Sequence, residues 1–406
     1  MEYVELTNIK IGGGKVEYEY NAPERFKRFL RSDMPALYVE YPSGYKISDV
    51  PAAILAVPFV TSFLPVSMLL GFGIKVKNLD KTFAESVSDI KKAYKTMFPY
   101  LDLNFEVKSE AAVDCNYSPK GGNSLFFTGG MDATSALVEV ANEHPLLVNI
   151  WGGDIGTSDN SSHENLEKYL EEVVKSLNTE YTFIKSNCRE MYNEGKVTRL
   201  CALKILPWQN HGWWASIAHI LSMSGLIAPL AYLRKTGTHY IASSYDQKSK
   251  IFDANNDTLL AAIRFGSCKL IPIDSNIERN DKAKKIIDFC NNTGSKFELK
   301  VCWYRKSGKN CSHCEKCYRT MLEIYANHGD PNKFGFMFTK QTCLEIKHFL
   351  ETEYVNKGFW EPIQKRFNQE RSYWSSVPEI AWILDIKFNP AKAVANKARQ
   401  VLRKFI

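Results

Sequence analysis

Four cysteines in the last third of the chain have the spacing of metal ligands. Cys302, Cys311, Cys314 and Cys317 follow one another as C-x8-C-x2-C-x2-C. Four thiolates complete a tetrahedral zinc shell, and two-residue spacings bring the ligands together without strain. An iron–sulfur cluster is the competing metal, and cysteines of an ordinary core are a third interpretation. We predict a structural zinc site, because four thiolates leave no coordination position open for water.

Charged residues flank these cysteines. Lys309, Lys316 and Arg319 are expected to offset the negative charge of a four-thiolate site, whereas His313 is expected not to be a ligand. The other six cysteines are scattered along the chain. This distribution is typical of a metal site in a reducing compartment and not of a disulfide framework. We therefore expect a cytoplasmic protein.

A second stretch whose residues could bind a ligand or take part in catalysis is LFFTGGMDATSAL, residues 125–137. Its apolar start predicts a buried strand, the pair Gly129 and Gly130 a tight turn, and the remainder a helix. Paired glycines let the backbone approach an anion, and the N–H groups of the first helical turn point at it. The Thr128 hydroxyl adds a donor, and Asp132 is a candidate ligand for Mg²⁺ or for bound water. The turn has neither the dinucleotide nor the Walker pattern, so a plain strand-to-helix bend stays open as the alternative.

The chain around this turn alternates strands and helices. This alternation predicts an α/β fold with a mostly parallel sheet and helices on both faces. Ligands of such sheets bind beyond the carboxyl ends of the strands. We predict an N-terminal α+β domain at 1–115, the α/β domain at 122–330 with a zinc knuckle at 302–317, and a helical C-terminal region at 340–406.

The length, net charge and charge distribution of the chain limit the classes of ligand and partner that it can bind. The chain has 406 residues and a formal net charge of +7, which suits an anionic ligand such as a nucleotide but is too diffuse to indicate nucleic-acid wrapping. Residues 52–74 carry no charge, but Pro58 and Pro65 interrupt them. We expect two short buried elements there and no membrane span, because prolines free backbone groups that lipid cannot satisfy. No secretory pattern is expected at the N-terminus.

The glycine turn resembles the phosphate loop of the PP-loop ATP pyrophosphatase superfamily, whose fingerprint is S-G-G-x-D-S. Thr128 stands in place of the first serine and Ala133 in place of the last, which removes one phosphate contact. Together with the cysteine spacing downstream, the stretch is similar to the 7-cyano-7-deazaguanine synthase family. The resemblance covers residues 122–328, roughly half of the chain.

The resemblance implies an activity for these residues. Thr128, Gly129, Gly130, Met131, Asp132, Ala133 and Thr134 would bind ATP, with Asp132 and Thr128 as the catalytic residues and Mg²⁺ as a second cofactor. A member of this family adenylates the carboxylate of 7-carboxy-7-deazaguanine and releases pyrophosphate. Ammonia then displaces AMP to give an amide, which a second ATP converts to a nitrile. The four cysteines would hold the structural zinc.

The N-terminal region and the helical tail exceed what this family needs. The resemblance then extends to relatives that occur in bacterial antiviral operons or beside polysaccharide loci. In the antiviral setting it implies that a deazaguanine is joined to a partner protein, which would dock on the N-terminal domain or on the C-terminal tail. Contact of the basic stretch 391–406 with nucleic acid is a less favoured alternative, and a homodimer is also considered.

Two other functions stay open. A PP-loop sulfur transferase acting on tRNA would need a cysteine pair outside the metal cluster, and the scattered cysteines supply none at close spacing. A degenerate nucleotide-binding scaffold would account for Ala133. Weaker candidates for the site, each with an ordinary structural alternative, are Asp154, His211, Ser243, Ser244, Tyr245, Asp246, Arg264, Lys269, Arg279 and Lys282.

Overall fold

The computed structural model describes residues 1–206, 209–243, 254–302 and 309–402. The strands in this part of the chain are β1 (Tyr3–Gly12), β2 (Lys15–Asn21), β3 (Tyr38–Glu40), β4 (Gly73–Asp80), β5 (Val107–Val113), β6 (Ser124–Phe126), β7 (Leu146–Trp151), β8 (Tyr181–Ser186), β9 (Thr238–Ala242), β10 (Arg264–Phe265) and β11 (Cys268–Ile273). The α-helices are α1 (Glu24–Lys27), α2 (Ala52–Leu70), α3 (Lys81–Met97), α4 (Met131–Val140), α5 (Asn160–Leu177), α6 (Glu194–Lys204), α7 (His219–Leu226), α8 (Ala228–Arg234), α9 (Asp257–Ala262), α10 (Arg279–Thr293), α11 (Glu315–Tyr325), α12 (Lys340–Thr352), α13 (Lys357–Gln369), α14 (Arg371–Ser375) and α15 (Ala391–Leu402).

The chain divides into two compact units. The first comprises Met1–Phe127, Glu139–Glu167 and Leu177–Asn276, and the second comprises Thr128–Val138, Lys168–Ser176 and Ile277–Ile406. The first unit contains every strand of the described chain, and the second contains the helices from α10 onward.

One eleven-stranded sheet forms the centre of the first unit, in the order β10-β11-β9-β6-β7-β8-β3-β2-β1-β4-β5. Six of its ten pairs of neighbouring strands are parallel. The predicted α/β fold with a mostly parallel sheet is therefore confirmed. Periodicity identified most of these strands, because each is a short apolar or alternating run bounded by turn residues.

Five consecutive parallel strands in this sheet follow the order β8-β7-β6-β9-β11. Counted along the chain from β6, this is the order 3-2-1-4-5, so the direction of winding reverses at β6. In doubly wound sheets, ligands bind outside the carboxyl end of the strand where the order reverses. The chain that leaves this end of β6 runs directly into Thr128, Gly129 and Gly130.

The N-terminal strands continue the same sheet. Strand β3 pairs antiparallel with β8 through Val39 and Ser186, and β2, β1, β4 and β5 follow beyond it. Strand β8 would otherwise expose unpaired backbone groups along this edge, and β3 satisfies them. The region expected to be a separate α+β domain thus shares its sheet with the α/β region.

Helix α2 differs from the two short elements that we predicted at 52–74. It is one helix of 19 residues that contains both prolines, and β4 begins three residues after it. A proline at position 65 leaves the carbonyl of Thr61 without its helical donor. The hydroxyl of Ser222 in α7 donates to this carbonyl at 3.3 Å. Tertiary contacts therefore replace the bond that the sequence pattern treated as a break.

Two helical segments are long and apolar enough to span a membrane by length and composition alone. They are Ala52–Leu70 and Trp214–Arg234. In the structure, 94% and 78% of their most apolar windows are buried inside the protein. The first begins after Pro51 and ends at Gly71, whose φ of 74° is typical of a helix C-terminus.

The regular elements of the second unit from residue 279 onward, within the described residues, are all helices. Its core includes the buried side chains of Trp360, Phe367 and Trp374. Helix α12 starts with a capping box, in which the Thr339 side chain accepts from the N–H of Thr342. Helices α10 and α13 pack against α11, which contains Cys317 and is capped by Cys314.

Candidate functional site

The four cysteines predicted as zinc ligands lie together in the second unit. The sulfur atoms of Cys302, Cys311, Cys314 and Cys317 are all within 4.8 Å of one another. The distances from Cys302 to Cys314 and from Cys311 to Cys317 are both 3.9 Å, and that from Cys314 to Cys317 is 3.5 Å. Zinc–sulfur bonds of about 2.3 Å in a tetrahedron require sulfur separations of about 3.8 Å. The cluster therefore fits a zinc ion in size and in ligand type.

A single asparagine fixes the segment that carries the first cysteine. The Asn310 Oδ1 atom accepts from the backbone N–H groups of Val301 and Cys302 at 3.1 and 3.2 Å. Its Nδ2 atom donates to the carbonyls of Leu299 and Gly335 at 2.6 and 3.1 Å. An amide can make these bonds simultaneously because it carries both an acceptor and two donors. Asn310 thereby holds Cys302 beside the short-spaced cysteines.

The start of α11 positions the other sulfur atoms. Cys314 is the N-cap residue of α11, and Cys317 lies in its first turn. A helix N-terminus favours negative charge, which stabilises thiolates. The N–H of His313 also donates to the sulfur of Cys311 at 3.4 Å. The imidazole of His313 contacts Glu345 at 3.0 Å and is not part of the cluster, in agreement with the prediction.

The glycine turn has a backbone that only glycine adopts easily. Gly129 has a φ of 74°, and a Cβ atom there would lie 2.6 Å from the ring of Tyr169. Its carbonyl accepts from the N–H of Lys300 at 2.7 Å. The carbonyl of Gly130 accepts from the N–H of Thr134 at 2.9 Å, which closes the first turn of α4. The helix begins at Met131, directly after the glycine pair.

Asp132 in the first turn of α4 is held by two cations. Its carboxylate oxygens lie 2.8 Å from Lys282 Nζ and 3.1 Å from Arg279 Nη1. Burial alone would raise the pKa of Asp132, but the charges of Arg279 and Lys282 outweigh burial and hold the pKa at about 2. Lys316 of α11 lowers the pKa further. Asp132 is therefore an ionised carboxylate over the whole neutral range.

Helix α11 adds further charges beside this carboxylate. Arg279 also contacts the buried Glu323 at 3.1 Å and Thr320 at 3.3 Å. Lys316, Arg319 and Glu323 are spaced by three and four residues, which places them on one face of the helix. Arg279, Lys282, Lys316 and Arg319 form what we call the basic cluster. All of its members belong to the second unit, as does the glycine turn.

The remaining residues of the glycine turn point inward. The side chains of Met131, Ala133 and Thr134 are buried, whereas Thr128 and Gly130 are half-buried. A ligand at this turn would therefore meet the backbone of the first three residues and the side chain of Thr128. The alanine that replaces the motif serine lies against the protein interior, where it is 8% exposed.

Other sequence candidates fall elsewhere. Asp154 is exposed and lines a polar cavity of about 570 Å³ at the loops after β7 and β8. Arg264 pairs with Asp89, Lys269 is exposed, and Ser243 donates to Asp257. The side chain of His211, expected in the interior, is exposed because it precedes the buried part of its segment. Ser244, Tyr245 and Asp246 lie outside the described residues.

Sequence reasoning missed three residues of the candidate site. Tyr169 and Lys300 contact the glycine turn, and no local pattern marks either of them. The sequence does contain a pattern that points to Glu323, because it follows Lys316 by seven residues and Arg319 by four on a helix. A buried acid at that spacing indicates an ion-pair partner for a basic residue on another element.

Burial makes the six remaining cysteines unsuited to nucleophilic chemistry. It raises their pKa values to about 12 for Cys188, Cys201 and Cys268, and to about 11 for Cys115, Cys290 and Cys343. Thiols with such values stay protonated at neutral pH, and the thiolate is the reactive form.

Fold and site together define an α/β protein with a large, mostly parallel sheet and a four-cysteine cluster that could hold a metal ion such as zinc. No known family model matches the chain, and no curated protein sequence matches it.

Proposed function

We propose that this protein is an ATP-dependent enzyme of the PP-loop type that adenylates a carboxylate and releases pyrophosphate. The observation that carries the proposal is the glycine turn, which leaves the carboxyl end of β6 and opens α4 beside the basic cluster. The strand order reverses at β6, which is where doubly wound sheets hold their ligands. The turn offers backbone N–H groups at a helix start, and these favour a phosphate.

The charge around Asp132 supports a polyphosphate as the ligand. Arg279 and Lys282 both contact the carboxylate of Asp132. Guanidinium and ammonium groups bind phosphate oxygens by the same charge-assisted hydrogen bonds. Phosphates could take over these two cations and so free Asp132. Asp132 would then hold Mg²⁺, which would neutralise charge on the departing pyrophosphate.

The cysteine cluster supports a structural role for zinc in this enzyme. All four candidate ligands are thiolates, so no coordination position on the zinc would be left for a catalytic water. The metal would fix the start of α11, whose first turn carries Lys316 and whose next turn carries Arg319. Zinc would therefore act on the nucleotide site by holding basic side chains in place.

The substrate assignment rests on the resemblance to 7-cyano-7-deazaguanine synthase. We propose 7-carboxy-7-deazaguanine or a related carboxylate as the acceptor of AMP. Ammonia or an amine of a partner protein would then displace AMP and give an amide, and a second ATP would activate the oxygen of the free amide so that it leaves with AMP and the nitrile forms. The partner-protein route corresponds to a role in bacterial antiviral defence. We keep a cytoplasmic location as part of this proposal.

One observation favours a second candidate, a nucleotide-binding scaffold without turnover. Both oxygens of Asp132 are paired, and Ala133 lacks the hydroxyl of the motif serine. Such a scaffold would bind ATP and release no pyrophosphate. The tRNA sulfur transferase is less supported, because the six cysteines outside the cluster have raised pKa values.

A pyrophosphate-release assay tests the proposed function. The purified protein is incubated with ATP, Mg²⁺, 7-carboxy-7-deazaguanine and ammonia, and pyrophosphate and AMP are quantified. We expect release that depends on the carboxylate. Release only with tRNA supports the sulfur transferase, and ATP binding without release supports the scaffold.

Gly130→Ala is the matched variant for this assay. An added methyl group meets Thr128 Oγ1 at 3.6 Å and the Lys300 carbonyl at 3.9 Å, so the fold accommodates it. The methyl group would still occupy the space next to the backbone N–H groups that a phosphate needs. We therefore expect kcat/KM for ATP to fall by roughly 100-fold. Gly44→Ala, at an exposed position with open space, is the control and should keep full activity. Equal activity of both variants would contradict the proposed phosphate site.

A further inference from the structure

Arg319 is a buried cation without a hydrogen-bond acceptor. Its side chain lies in α11 and only 9% of the residue is exposed. The Nε atom is buried and has no hydrogen-bond partner. The guanidinium lies 4.2 Å above the ring of Phe359, a contact that uses its flat face and leaves the N–H groups at its edge. Within the described residues, no acceptor is found for these donors.

Two carboxylates, Glu323 and Glu315, act on Arg319 through their charges, but both accept hydrogen bonds from other residues. Glu323, which is 2% exposed, accepts from Arg279 Nε with both of its oxygens. Arg279 and Arg319 are close enough to repel each other. An unpaired buried charge is among the most costly features of a folded protein. An arrangement of this kind becomes favourable when a further anion binds beside the second guanidinium.

The chemistry of the donors indicates a phosphate group. Arginine presents N–H groups in a rigid fork that matches two phosphate oxygens. Lys316, one turn before Arg319 on the same face of α11, adds a point charge. Arg279 connects this face to Asp132 in the first turn of α4. The anion would therefore lie near the helix start at which the glycine turn ends.

We propose that Arg319, together with Arg279 and Lys316, forms an anion site that binds a phosphate group of a polyphosphate. The source of the phosphate is either free pyrophosphate or the β- and γ-phosphates of ATP. The choice of a polyphosphate rests on the proposed function, whereas the need for a further acceptor rests on the buried Nε atom of Arg319. Arg319 follows Cys317 by two residues, so a metal in the cysteine cluster would hold this donor in place.

Calorimetric titration of the zinc-loaded protein tests this site. Sodium pyrophosphate and a non-hydrolysable ATP analogue are titrated in separate experiments into the wild type and into Arg319→Gln. Loss of the guanidinium should weaken binding of pyrophosphate by about tenfold or more. Arg319→Lys, which keeps the charge without the fork, should restore part of the affinity. Arg371→Gln, which removes an exposed ion pair with Asp385 in the same unit, is the control and should bind as the wild type does.

Thermal unfolding without ligand separates anion binding from a structural role. Because an unpaired buried charge opposes folding, Arg319→Gln should unfold at the same temperature as the wild type or higher. Pyrophosphate should raise the unfolding temperature of the wild type by more than that of the variant. Wild-type affinity of Arg319→Gln for both ligands, or no binding of either ligand by the wild type, would overturn the site. Weakening only with the ATP analogue identifies the nucleotide as the source, and weakening with both identifies the pyrophosphate moiety.

The anion site and the proposed enzyme activity can fail separately in these experiments. Arg319-dependent binding of pyrophosphate without adenylation would keep the anion site and reject the proposed enzyme. Adenylation that is unchanged in Arg319→Gln would keep the enzyme and reject the anion site.

Discussion

Asp132 shows how one side chain couples charge, burial and stability. It is half-buried, and two cations from α10 stabilise its ionised form. Its pKa of about 2 lies below the ordinary value of 3.8. A carboxyl group with a lowered pKa in the folded state stabilises the fold when it is ionised. This contribution is complete above the unfolded-state pKa, near pH 4, and is lost as the pH falls towards 2.

Asp132→Asn should therefore destabilise the protein in a pH-dependent way. We expect a loss in the free energy of unfolding of roughly 2 kcal/mol at pH 7, with the difference from wild type shrinking between pH 4 and pH 2. Urea unfolding at a series of pH values measures it. Asp288→Asn, which removes an exposed ion pair with Lys284, is the control and should cost less than about 0.5 kcal/mol. A pH-independent difference for Asp132→Asn would show that the ion pairs contribute nothing.

At the scale of elements, α11 joins the cysteine cluster to the basic cluster. Cys314 caps its N-terminus, its first turn carries Cys317, and its next turns carry Arg319 and Glu323. The segment before it reaches the cluster through Cys302 and is held by Asn310. The geometry of the candidate metal site therefore depends on one amide side chain as well as on four thiolates.

Asn310→Ala should weaken both the fold and the metal site. The substitution leaves two backbone N–H groups and two carbonyls without their partner, and we expect a cost of roughly 2 to 4 kcal/mol. Zinc should also transfer more readily to a competing chelator, because Cys302 is no longer held in place. Asn292→Ala, at an exposed position in α10, should change neither the urea midpoint nor zinc retention. Zinc retention equal to wild type in Asn310→Ala would mean that the thiolates alone fix the segment.

At the scale of the whole molecule, the two compact units have different sources of stability. The first unit is built on an eleven-stranded sheet and the buried helix α2. The second unit contains the cysteine cluster, and the described residues before α11, 294–302 and 309–314, belong to no helix or strand. Metal binding should therefore matter locally, in the second unit.

Zinc removal should be visible in hydrogen exchange by mass spectrometry. We expect faster amide exchange in α11 and at residues 299–302 after chelation of the zinc-loaded protein, because the sulfur atoms no longer share an ion. Exchange in β1, β2 and β4 should not change. Uniform loss of protection in both units would instead indicate that the metal stabilises the whole chain.

The sequence by itself determined the features that depend on local spacing. The cysteines at 311, 314 and 317 are close in the chain, so any compact loop brings their sulfur atoms together. The glycine pair at 129 and 130 predicted a backbone turn, because only glycine adopts a φ of 74° without strain. The alternation of strands and helices likewise determined the α/β class, since hydrophobic periodicity is a local property.

Only the tertiary structure decided which distant residues meet. Arg279 and Lys282 are 147 and 150 positions from Asp132, and spacing along the chain cannot select them from other basic residues. The pairing of β3 with β8 depends on backbone groups that no side-chain pattern reports. Helix α2 continues past Pro65 because the Ser222 hydroxyl from α7 satisfies the freed carbonyl of Thr61. In each case a contact between residues distant in the chain stabilised a conformation that the local sequence alone does not specify.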